Sequence, residues 1–130
     1  MEIKEPKFRC GGNWQELADL FDYKIGKHDQ DWTYTIVESK RIDDYIQAYD
    51  TTITNDNTKF SLMEMIIQSL TEQKNEELMH QKWGKVKALL NKDFDLHEYT
   101  IYYWCCWDTE DIKDCWSVTP LMRSYWESKN

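Results

Sequence analysis

Glycine and proline are scarce in this chain, with four and two residues respectively in 130. An all-β sandwich or barrel draws on both for its many tight turns, so their scarcity argues for helices. Long apolar runs are missing as well. The strongest, Leu62 to Ile67 and Ile101 to Trp107, are too short to span a bilayer. Nor is there an excess of basic residues: the net charge is −8 and the pI about 4.8. Phosphate backbones and anionic membrane surfaces repel such a chain, which sets direct nucleic-acid or membrane binding aside. Signatures of catalysis are absent too: no glycine-rich phosphate loop, no G-x-S-x-G and no H-E-x-x-H. The three histidines, His28, His80 and His97, lie in no recognisable motif.

What is present suffices for one core. Hydrophobic residues make up 41% and aromatics 15%, including 7 Trp and 8 Tyr. A single domain over residues 1–130 can bury enough of this surface without a disulfide, metal or cofactor. The stretch Met1 to Lys7 is polar and has no apolar h-region, so a cytoplasmic, reducing location is expected. In that setting Cys10, Cys105, Cys106 and Cys115 read as free, buried thiols.

The expected fold is mainly α, an irregular multi-helix bundle or short helical-hairpin stack of about six helices. Asn13 with Glu16 suggests a capping box before the stripe Trp14, Leu17, Ala18 and Phe21, and Gly26 is the expected stop. Ile42, Tyr45, Ile46 and Tyr49 have helical spacing, whereas Trp32 to Val37 stays open between strand and helix. Ser61 and Glu64 look like a capping pair ahead of a helix apolar on nearly all sides, from Phe60 to Leu70. Asn75 caps the next helix, in which Gly84 is expected to mark a close helix contact. Asp95 and Glu98 then suggest a start for a helix through the apolar run 99–107. Thr119 as cap and Pro120 as first residue open the last helix. The alternative is a small α+β domain with a sheet from residues 32–37 and 99–107.

The carboxyl-terminal third is the most unusual region. Trp104, Cys105, Cys106, Trp107, Cys115 and Trp116 flank Asp108, Glu110, Asp111 and Asp114, four acids opposed by Lys113 alone, a net −3. Acids that select a basic partner, beside tryptophans that fill its pockets, make a protein-binding edge. Asp43 and Asp44 could extend it, since 41–56 also carries −3. A metal site from Cys105, Cys106, Cys115 and His97 is disfavoured, because adjacent cysteines point about 100° apart on a helix and cannot share an ion. Paired acids such as Asp43, Asp44, Asp50 and Asp56 read as a solvated face.

These features favour a non-catalytic binding or inhibitory protein that engages a basic partner. In composition alone, and through no motif, the chain is similar to bacterial immunity proteins that neutralise basic nuclease toxins, and to small phage inhibitors. The alternatives are a small enzyme or enzyme subunit, and a helical adaptor with a peptide groove lined by Met63, Met65 and Met79.

Overall fold

The computed structural model describes residues 3–26 and 31–129. Seven α-helices and two 3-10 turns occur among the described residues, with no strand. The helices are α1 (Trp14–Phe21), α2 (Trp32–Thr35), α3 (Ile42–Thr51), α4 (Asp56–Thr71), α5 (Glu76–Lys92), α6 (Phe94–Cys105) and α7 (Thr119–Lys129). The mainly α reading therefore holds, and the sheet from 32–37 and 99–107 does not form: the first segment is the short α2 and the second belongs largely to α6. No helix among the described residues is long and apolar enough to cross a membrane.

Helix α4 is the centre. Leu62, Met63, Met65, Ile66, Ile67 and Leu70 are all fully buried, so the helix is enclosed on several sides, as its apolar circumference demands. Helices α1, α2, α3, α5 and α6 pack around it, and α7 lies on α6. Met63, Met65 and Met79 are core residues and line no groove.

The start of α4 lies earlier than the Ser61–Glu64 pair suggests. Asn55 is the cap, its side-chain oxygen accepting from the amides of Asn57 and Thr58 at 2.9 and 3.3 Å. Ser61 and Glu64 serve tertiary contacts instead. The Ser61 hydroxyl donates to the Gly12 carbonyl, while Glu64 accepts from the hydroxyls of Tyr34 and Thr33. Asn13 and Glu16 also form no capping box: Asn13 donates to Thr58, whose hydroxyl in turn donates to Glu16. This cluster ties the first turn of α1 to that of α4. Gly11 is needed beside it, since a Cβ there would lie 2.2 Å from the Ser61 hydroxyl.

Other boundaries shift by local causes. Helix α1 ends at Phe21, where Asp22 takes a left-handed conformation, well before Gly26. Helix α6 opens at Phe94, one residue before Asp95, so Asp95 and Glu98 lie inside it. Thr119 is already helical and donates its hydroxyl to the Trp104 carbonyl at 3.0 Å, joining α7 to α6. Asn75 does cap α5, accepting from the Leu78 amide at 2.9 Å. Gly84 faces open space rather than a close helix contact. All four thiols are free, but only Cys105 is buried; Cys10 is exposed, and Cys106 and Cys115 are half-buried. His80 is exposed, and His28 lies outside the described residues.

Candidate functional site

The site is built where α6 stops. Cys106 adopts a left-handed conformation (φ 57°) and turns the chain out of the helix. Arg123 of α7 holds the exposed carbonyls, donating to Cys105 at 2.6 Å, to Cys106 at 2.8 Å and to Thr109 at 3.4 Å. A fixed cation at this end of α6 also complements the helix dipole. The Arg123 guanidinium lies over the Trp107 ring at 4.7 Å, setting that indole in place.

The loop that follows carries the acids. A side-chain oxygen of Asp111 accepts from the Lys113 amide at 3.0 Å, capping the 3-10 turn Ile112–Asp114. Asp108, Glu110, Asp111 and Asp114 are all exposed. Among the described residues, no Lys or Arg side chain forms an ion pair with any of them. The loop returns to the core through Trp116, which stacks on Tyr103 (ring centres 5.3 Å apart) and leans on the buried Trp104 (4.6 Å). Behind it, the Val118 amide donates to the Thr71 hydroxyl of α4 at 3.1 Å.

Between α6 and this loop lies a cleft of about 390 Å³. Tyr99, Tyr102, Tyr103, Trp107 and Trp116 form its walls. Among the described residues, Glu5 and Asp108 are the charged ones that line it, both negative. Tyr103 is 41% exposed, unusual for a large aromatic and a mark of an uncovered apolar surface. Sequence reasoning found Trp107, Trp116 and Asp108 here but missed the tyrosines and Glu5. Tyr99, Tyr102 and Tyr103 join only because α6 is a helix, which places residues three and four apart on one face.

Asp43 and Asp44 are differently placed. Lys82 and Lys85 of α5 pair with Asp43 at 2.8 and 3.9 Å, and Arg41 pairs with Asp44 at 3.3 Å. Asp50 likewise meets Lys92 at 3.5 Å. These acids are matched within the chain, whereas the four of the loop after α6 pair with no cation among the described residues.

A second polar cluster lies inside the fold. The Tyr49 hydroxyl is 2.6 Å from a carboxylate oxygen of Asp93 and 2.7 Å from Nε2 of His97. Burial would raise the Asp93 carboxyl, but the Tyr49 hydroxyl and the nearby Lys59 ammonium outweigh it and hold the group below its ordinary range. Tyr49 therefore donates to the ionised Asp93, and His97 donates to Tyr49 from Nε2. Its Nδ1 is then an acceptor with no partner among the described residues. His97 is wholly buried, with its ring stacked on Phe60. Asp93 also lines an open cleft of about 520 Å³, whereas the His97 imidazole is not among its lining residues. Among the described residues no three His, Cys, Asp or Glu side chains gather so as to hold a metal ion.

No protein-family model matches the chain, and neither a curated protein nor a solved structure matches it significantly.

Proposed function

We propose that the protein is a non-catalytic binding or inhibitory protein whose acidic, aromatic face engages a basic protein partner, as an immunity protein engages a nuclease-type toxin. One observation carries the reading: the four loop carboxylates pair with no Lys or Arg among the described residues, and they stand beside an aromatic cleft whose charged lining, among those residues, is Glu5 and Asp108. A nuclease presents a basic surface to its substrate's phosphates, so its charge complements such a face. The exposed acids would steer the approach, and the tryptophans would supply apolar area at the centre.

The test is capture from the source cells with two baits, wild type and a variant carrying Asp108→Lys, Glu110→Lys, Asp111→Lys and Asp114→Lys. The substitutions change the segment 108–114 from −3 to +5 while touching only exposed side chains. The variant should keep the wild-type helical circular dichroism, with a melt lowered by no more than the loss of the Asp111 cap, about 1 kcal/mol. Wild type should retain a basic protein at a one-to-one ratio, released in part by salt. The variant should associate with that protein at least about tenfold more slowly. Equal association by both baits would contradict the reading.

A further inference from the structure

We infer that the aromatic cleft beside α6 receives the guanidinium of an arginine side chain of the basic partner, an inference that rests on the binding reading above. Five rings and two carboxylates line the cleft, with no cation among the lining residues. Aromatic faces and carboxylates attract the same guest from different sides: the ring quadrupole draws a cation onto its face, and the carboxylate accepts its N–H groups. Tyr103 and Trp116, stacked on one another at 28°, are both among the lining rings. At the opposite end of the loop the molecule already uses this chemistry on itself, with Arg123 laid on Trp107. The Arg123 Nε and Nη2 donate to the carbonyls of Cys105, Cys106 and Thr109, and the guanidinium forms no ion pair with Glu5 or Asp108.

The shape selects arginine over lysine. A guanidinium is planar, weakly hydrated and able to stack and donate two parallel hydrogen bonds at once. An ammonium is a strongly hydrated point charge that gains less from a flat wall. The loop acids outside the cleft would attract either cation alike.

Hexa-arginine and hexa-lysine peptides, titrated separately at one ionic strength with tryptophan fluorescence as the readout, provide the test. Wild type should bind hexa-arginine about three- to fivefold more tightly than hexa-lysine. The Tyr103→Ala/Asp108→Asn double variant should bind both equally, because it loses a ring and a carboxylate of the cleft but keeps Glu110, Asp111 and Asp114. Asp108→Asn alone, at an exposed position without an ion pair, should narrow the difference even where Tyr103→Ala lowers the melting temperature. Equal affinities in the wild type, or an arginine preference unchanged in both variants, would overturn the cleft and leave the acidic-face reading standing. Failure of both peptides to bind would overturn the two together.

Discussion

Lowering the pH from 7 towards 4 is expected to cost the protein about 3 kcal/mol of stability through His97 alone. The residue is fully buried, and burial pushes its imidazole from 6.5 down to about 4; Arg9 and Lys59 add to the effect, and Asp93 opposes it. In the unfolded chain the ring titrates near 6.5, so between that pH and about 4 the unfolded state binds the extra proton. Stability contributed by the neutral ring is thus complete above pH 6.5 and is lost as pH falls towards 4, at about 1.4 kcal/mol per unit. The Asp93 carboxyl, held below its ordinary range, acts in the same direction but in a lower window. Urea unfolding at pH 7, 6 and 5 measures the slope, and His97→Gln supplies the comparison. The wild type should lose stability steeply across this window while the variant, less stable at pH 7, stays nearly flat. Parallel slopes in the two proteins would show that the buried imidazole is not the cause.

Removal of the buried indole against which Tyr103 and Trp116 pack should cost as much or more. Trp104 is 1% exposed, lies edge-on to Tyr103, tilts against Trp116 at 4.6 Å and meets Tyr34 at 6.1 Å. Trp104→Ala removes an indole from a packed site that cannot collapse around the space, a loss of about 3–5 kcal/mol. That is a large share of the roughly 5–15 kcal/mol that stabilises an ordinary domain. Trp104→Phe keeps most of the ring contact and removes an indole N–H that has no partner among the described residues, so its cost should be much smaller. Thermal and urea unfolding of both variants checks the order. A Trp104→Ala loss below about 1 kcal/mol would mean that Trp116 and Tyr103 do not depend on this residue for support.

The sequence made the large features legible and the polar ones obscure. The enclosed helix from Phe60 to Leu70 was readable because an apolar residue at almost every position leaves no solvated face, and α4 is indeed central. The strand–helix ambiguity of 99–107 could not be settled by period, because short apolar runs satisfy both; packing on α4 and α7 decides it. Caps were read well where they are local, as at Asn75, and badly where the side chain was drawn elsewhere. Ser61 and Glu64 have capping chemistry, yet each bonds to a residue 30 or more positions away. The same cause hides the buried cluster, since Tyr49 and His97 are 48 residues apart. Trp107, Trp116 and the four loop acids were found because they are close in sequence. Asp43 and Asp44 were grouped with them by charge alone, and only the fold reveals that Lys82, Lys85 and Arg41 already engage them.

The central claim, that the unmatched acids after α6 and the cleft beside them form the binding face, is tested most directly by mapping where a basic ligand lands. Hexa-arginine titrated into isotopically labelled protein should shift the indole N–H signals of Trp107 and Trp116 and the amides of 107–114. Signals from Asp43, Asp44 and the facing turns of α5 should stay in place. Shifts centred on α3 and α5, or scattered evenly over the surface, would contradict the account.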